Sequence, residues 1–163
     1  MRLFLYPLLA LFFLSTYPLV AQSTIAEALK KWTTGEVPAL ATMAVPEEAL
    51  LIDTREKTEF NVSHLEGAHW VGYQSFDLSQ FLKTYPDLNT PIIAYCSIGV
   101  RSEKIGIKLL KAGYTNVKNL YGGIFEWKNE GGTVVDPQGQ PTEKVHAYNR
   151  FWGQLLTNAD KVY

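Results

Sequence analysis

The sequence predicts an α/β domain with a mainly parallel central sheet, and three observations carry that expectation. Ala49-Leu50-Leu51-Ile52 and Pro91-Ile92-Ile93-Ala94-Tyr95 are apolar runs bounded by polar turns and too short for helices, as buried strands are. Other stretches repeat apolar residues at helical spacing, as Ile105, Leu109 and Leu110 do with lysines between them. Strands and helices then alternate along the chain, the order that places helices on the faces of a parallel sheet.

Taken in order, the 163 residues begin with Arg2 and a long apolar stretch over residues 3–20, followed by Ala21-Gln22-Ser23. One positive charge, an apolar run and a small-residue exit have the pattern of a secretory signal. Residues 1–23 are therefore expected to be a signal peptide, with the mature chain starting near Gln22 or Thr24. The rival is an uncleaved membrane anchor, since residues 3–20 approach the length that spans a bilayer. Pro7, Pro18 and the small-residue exit favour cleavage, and with it an exported, periplasmic or secreted protein.

Residues 24–45 read as an N-terminal helix and linker, with Ile25, Ala28, Leu29 and Trp32 on one side of the helix and Pro38 in the linker. Residues 46–135 hold the main domain. Its first strand ends at Asp53-Thr54-Arg55, a short charged helix follows over residues 56–60, and Gly67 turns the chain into a strand at residues 68–71. Asp77 is placed to cap a helix carrying Leu78, Phe81 and Leu82, which stops before Pro86. After the strand ending at Tyr95 come a loop, a helix over residues 102–111 closed by Gly113, and a strand containing Val117, Asn119 and Leu120. Gly122-Gly123 then leads into a last helix with Ile124, Phe125 and Trp127, ended by Gly131-Gly132. Residues 136–163, with Tyr148, Phe151 and Trp152, read as a C-terminal extension packed on the core.

Charge excludes one class of partner. Fifteen Lys and Arg stand against sixteen Asp and Glu, a formal net charge of −1 that becomes −2 if Arg2 leaves with the signal. No basic cluster is present to neutralise phosphates, so no nucleic-acid partner is expected. The three histidines, His64, His69 and His146, are widely spaced, and neither a metal nor another cofactor is expected. A domain of this size buries enough surface to fold without a disulfide or structural metal.

Cys96 is the only cysteine and cannot form a disulfide within the chain. A lone cysteine is commonly a small buried hydrophobe. This one opens the loop Cys96-Ser97-Ile98-Gly99-Val100-Arg101-Ser102 between a strand and a helix, where successive backbone N–H groups converge and favour an anion. Such surroundings stabilise a thiolate, which makes Cys96 a candidate nucleophile. The amides of Ser97, Ile98, Gly99, Val100 and Ser102 form the expected anion cradle, and Arg101 adds a planar charged fork at its rim.

Several motifs together resemble the rhodanese family. They are Leu51-Ile52-Asp53-Thr54-Arg55, Glu59-Phe60 and His64-Leu65-Glu66-Gly67-Ala68; then the loop from Tyr95 through Cys96 to Ser102; then Gly113-Tyr114, Leu120-Tyr121-Gly122-Gly123 and Trp127. The resemblance runs in order over residues 49–135, departing at Ser63, where the family usually has glycine. It implies a three-layer rhodanese-like domain and sulfur transfer. Cys96 would attack the outer sulfur of a thiosulfate-like anion and carry a persulfide to a thiol or cyanide acceptor, or to an acceptor protein. Arg101 would hold the sulfonate of the donor. Asp53 and Arg55 either support the loop or form a surface salt bridge at a strand end, and the residues leave that choice open.

Two other readings compete. Cysteine phosphatases and arsenate reductases also ring an anion with a cysteine and an arginine, but they hold one residue more between them than Ser97-Ile98-Gly99-Val100 provides. A module that binds, carries sulfur or senses redox state without turnover is the alternative of a different class, and retention of both Cys96 and Arg101 weighs against it.

Overall fold

The computed structural model describes residues 24–163. The expected signal segment, residues 1–23, lies outside them. Its centre is a five-stranded parallel sheet in the order β1-β5-β4-β2-β3, with β1 at Ala39–Leu40, β2 at Leu50–Asp53, β3 at His69–Trp70, β4 at Ile92–Tyr95 and β5 at Val117–Leu120. Five helices surround it: α1 at Ile25–Trp32, α2 at Lys57–Phe60, α3 at Leu78–Thr84, α4 at Val100–Lys111 and α5 at Gly123–Asn129. The α/β class with a mainly parallel sheet is as the sequence predicts.

The middle strand explains why its sequence is apolar without interruption. Side chains of a strand alternate between faces, and in β4 both faces are covered. Ile93 and Tyr95 join a core with Leu65, Ile124 and Phe125, while Ile92 and Ala94 join a second core with Ile52, Phe81, Ile105 and Leu109. Helices α3 and α4 supply the second layer; α1, α5 and the C-terminal extension supply the first. The sheet is therefore the middle of three layers, and the carboxyl ends of β2 and β4 deliver Asp53 and Cys96 to one edge.

Several elements differ from expectation for simple reasons. β1 has two residues, too few for any hydrophobic period, and is fixed by pairing Ala39 and Leu40 with Asn119 and Leu120. α4 starts at Val100 rather than 102, because Gly99 adopts φ 105 and turns the chain into the helix at once. Past α5 the chain adds two strand pairs and a short helix, beginning just before the extension. β6 at Val134–Val135 pairs with β7 at Pro141–Thr142; β8 at Lys144–His146 pairs with β9 at Asp160–Val162; and a short 3-10 helix spans Trp152–Leu155. Val145, Ala147, Leu155 and Leu156 from this stretch are buried in the first core. Among the described residues no helix is long and apolar enough to cross a membrane.

Gly123 joins the last helix to the cysteine loop. Its neighbours Ile124 and Phe125 donate their amides to the carbonyls of Cys96 and Ser97 at 2.9 and 3.1 Å, so the unpaired N-terminus of α5 caps the loop. A Cβ on Gly123 would overlap the Cys96 carbonyl oxygen, and φ is 56. Gly123→Ala should therefore destabilise the fold by at least about 2 kcal/mol. Urea unfolding at fixed pH measures this, and an unchanged midpoint would mean the loop and α5 are not held so closely.

Candidate active site

Cys96 follows the last residue of β4, and the chain turns sharply over it into α4. The amide of Gly99 donates to Sγ at 3.1 Å. The amide of Ser102, in the first turn of the helix, also favours the sulfur anion. Burial by itself pushes a thiol toward its neutral form. Here burial is outweighed by the Arg101 charge and by the hydrogen bonds of Ser102 and Gly99, and the Cys96 thiol is held below its ordinary value. These surroundings favour the thiolate against the effect of burial.

A second network holds the loop from behind. Ser102 Oγ donates to Asn119 Oδ1 at 2.7 Å, and Asn119 Nδ2 donates to the Gly99 carbonyl at 2.9 Å. Asn119 on β5 thus fixes both sulfur donors, Gly99 through its carbonyl and Ser102 through its hydroxyl. Sequence patterning registers Asn119 only as a strand residue. The available signal is a polar side chain in a short buried strand, which needs a partner.

Arg101 departs from the expected arrangement. Its Nη1 donates to Glu59 Oε2 at 2.7 Å and its Nη2 to Glu59 Oε1 at 2.8 Å, a two-pronged pair, and Nη2 also reaches Ser97 Oγ at 2.9 Å. Ser97 Oγ in turn donates to Glu59 Oε1 at 3.1 Å. Glu59 is almost fully buried; burial favours its neutral form, but the Arg101 hydrogen bonds and charge prevail and hold the carboxyl below its usual range. The fork is therefore committed to Glu59 rather than free at the rim for a sulfonate. Arg101 still lies within hydrogen-bonding reach of Sγ and favours the thiolate from there. Glu59, which the sequence motif contains without any assigned role, closes this ring.

Asp53 and Arg55 are not a surface pair. Both side chains are wholly buried; Arg55 Nη2 donates to Asp53 Oδ2 at 2.6 Å and to the Ser63 carbonyl at 2.7 Å. Neither touches the Cys96 loop directly. Asp53 instead meets the hydroxyl of Tyr95, the residue before Cys96, and Thr54 donates its amide to the Tyr95 carbonyl at 2.9 Å. The pair braces the strand end that carries the cysteine. A buried arginine so close to the sheet edge must be paired, and the short Asp-x-Arg spacing makes the pairing local.

The sulfur itself is not open at the mouth of the sheet. Cys96 is 1% exposed and lines a pocket of about 190 Å³. Ile98, Val100 and Arg101 line its sides, and Trp32, Tyr148 and Trp152 stand around its entrance. The covering residues come from α1 and the extension, which patterning reads as peripheral. That is why the sequence gives a more open cysteine than the fold provides.

A cysteine sulfur held by loop amides at the carboxyl edge of a parallel sheet defines a cysteine-loop α/β domain, and the family follows from sequence. The rhodanese-like domain family matches residues 37–130, more than half of the chain, and this protein belongs to it. Among curated relatives, thiosulfate sulfurtransferase GlpE of Actinobacillus succinogenes is 35% identical over 89 residues, which cover 55% of this chain and 78% of the relative. The tRNA uridine(34) hydroxylase of Enterococcus faecalis is 35% identical over 84 residues, 50% of this chain and 27% of that protein. Among solved structures, a thiosulfate sulfurtransferase from Pseudomonas aeruginosa aligns with a TM-score of 0.56 at 26% identity, over 64% of this chain and 21% of that one. A Helicobacter pylori protein shares the fold with a TM-score of 0.51 at 22% identity, over 63% of this chain and 93% of the other.

Proposed function

We propose that this protein is a sulfurtransferase that moves sulfane sulfur from a small anionic donor to a thiol or cyanide acceptor through a persulfide on Cys96. The observation that carries the reading is the Cys96 sulfur lining a pocket, with the Gly99 and Ser102 hydrogen bonds and the Arg101 charge favouring its anion. In the first half-reaction the thiolate attacks the outer sulfur of the donor. A new S–S bond forms, the donor S–S bond breaks, and its electron pair leaves with sulfite when the donor is thiosulfate. The terminal sulfur of the persulfide remains anionic and inherits the loop amides. An acceptor then removes that sulfur and returns the thiolate.

Once the sulfur is ionised, no proton has to move in the first half-reaction, because the leaving group departs as an anion. Preorganised donors aimed at the sulfur carry the catalysis. Arg101 contributes by ordering the loop through Glu59 and Ser97 and by its charge. The loop itself, Ser97 to Ser102, forms the substrate-binding surface, with Asp53 and Arg55 acting through Tyr95. Incubation with thiosulfate should add one sulfur atom to the peptide containing Cys96, removable by cyanide as thiocyanate. A protein that hydrolyses an aryl phosphate and forms no persulfide would overturn the reading. We further propose export to the periplasm or cell exterior, supported by the charge and apolar pattern of residues 1–23, and N-terminal sequencing of protein from the native envelope tests it.

A further inference from the structure

We propose that Asn119 is a positioning residue that withholds the Ser102 hydroxyl proton from Cys96, so that the hydroxyl receives the S–H of the thiol and donates nothing to the thiolate. The withheld bond leaves the ionised sulfur a stronger nucleophile. The inference rests on the sulfur-transfer reading and deepens it, naming a residue that sets how strongly the sulfur attacks.

The assignment follows from counting protons. Asn119 lies in β5, where it is paired on both sides, with Ala94 of β4 and with Ala39 of β1, so its side chain projects from a fixed backbone. It is 6% exposed, and Ser102 is wholly buried. Asn119 Nδ2 stands 2.9 Å from the Gly99 carbonyl oxygen, and Oδ1 stands 2.7 Å from Ser102 Oγ. A carbonyl oxygen only accepts, so the amide nitrogen faces Gly99 and the amide oxygen faces Ser102; turning the amide over would press two oxygens together. The amide oxygen likewise only accepts, and its bond to Ser102 takes the single proton of the hydroxyl. Ser102 Oγ also lies within hydrogen-bonding reach of Sγ. With its proton engaged elsewhere it offers the sulfur lone pairs alone, which steady an S–H and repel an anion. The groups left to favour the thiolate are the amides of Gly99 and Ser102 and the charge of Arg101.

A reason for withholding a donor lies in the chemistry of thiolates. Their intrinsic nucleophilicity falls as their pKa falls, with a slope of about 0.4–0.5. A hydroxyl bond to a charged sulfur would lower the thiol by about one further pH unit. Each thiolate would then attack roughly threefold more slowly. Arg101 and the loop amides already offset burial, and Asn119 stops the loop from holding the anion harder than that.

The test is the pH–rate profile of Cys96 alkylation by iodoacetamide, which reads both the thiol midpoint and the plateau rate of the full thiolate without any sulfur donor. In Asn119→Leu the hydroxyl is released to the sulfur, so the midpoint should fall by about one unit and the plateau by about threefold. The Gly99 carbonyl keeps the Glu103 amide at 3.3 Å in that variant. Ser102→Ala removes no donor from the sulfur, and its midpoint should stay at or below that of the wild type. Adding Asn119→Leu to Ser102→Ala should lower the midpoint no further, because no hydroxyl remains to turn. Arg101, backed by Glu59, is the charge acting on the sulfur and is untouched in all three variants. A loop merely loosened would lose donors and move the midpoint upward, the opposite sign. A midpoint that rises in Ser102→Ala, or that fails to fall in Asn119→Leu shown by circular dichroism to be folded, overturns the proposal; if Asn119→Leu does not fold, Ser102→Ala decides alone. Persulfide formation from thiosulfate is scored separately. Its absence in the wild type removes the sulfurtransferase reading and leaves the alkylation result standing, whereas its presence beside a raised Ser102→Ala midpoint removes this proposal alone.

Discussion

Cys96→Ser is expected to lower thiocyanate production from thiosulfate and cyanide by at least about a thousandfold and to abolish the added sulfur mass. The chain contains no other cysteine, so no second thiol can take over. A serine oxygen is close in size and can accept the same Gly99 amide that reaches Sγ at 3.1 Å, so the loop should keep its shape. What disappears is the anion: an alcohol ionises far above the working pH, and the loop donors cannot close that gap. Thermal unfolding of the variant should stay within a few degrees of the wild type. Residual turnover comparable to the wild type would place the chemistry elsewhere.

Arg101→Ala is expected to have the second largest effect, on stability and chemistry at once. Removing the guanidinium leaves the Glu59 carboxylate, 3% exposed, without its cation. Breaking one side of a buried pair costs about 3 kcal/mol. The same change removes the main opposition to desolvation at Cys96, so the thiol should titrate higher and kcat should fall by more than KM rises. Arg101→Lys keeps a charge but not the fork and should recover little of the order. Pairing Arg101→Ala with Glu59→Gln should restore part of the lost stability, because the stranded charge is gone. The pH dependence has a definite sign. The folded state holds the Glu59 carboxyl below its usual 4.5, so the stabilisation is complete above that pH and fades as pH falls through the lower folded value. Urea unfolding of wild type and variant from neutral to acid pH should converge as Glu59 is protonated.

The sheet and the cysteine loop were legible because they rest on local signals. A strand buried on both faces reads as the run from Ile92 to Tyr95, and only glycine suits the φ of 105 that starts the helix at Gly99. The partners of the site were less legible because they meet only in space. Glu59 joins Arg101 across 42 residues, and Asn119 reaches Gly99 across 20. A charge in a motif does not announce which charge it faces. The Asp53 and Arg55 spacing suggested a pair but could not show burial, which depends on Tyr95 and Ser63 closing over it. The pocket entrance was the least visible feature. Trp32 sits at the end of an amphipathic helix whose other apolar residues pack inward, and Tyr148 and Trp152 lie in an extension whose short strands lack a usable period.

The central claim is that converging hydrogen bonds and one arginine overcome burial to keep the Cys96 sulfur ionised. Titration of the thiolate tests it most directly, followed by its ultraviolet absorbance and by the pH dependence of iodoacetamide alkylation. The account predicts a single midpoint below the 9.0 of an unperturbed thiol, moving upward in Arg101→Ala. A wild-type midpoint at or above 9.0, the direction in which burial alone would drive it, would contradict the account.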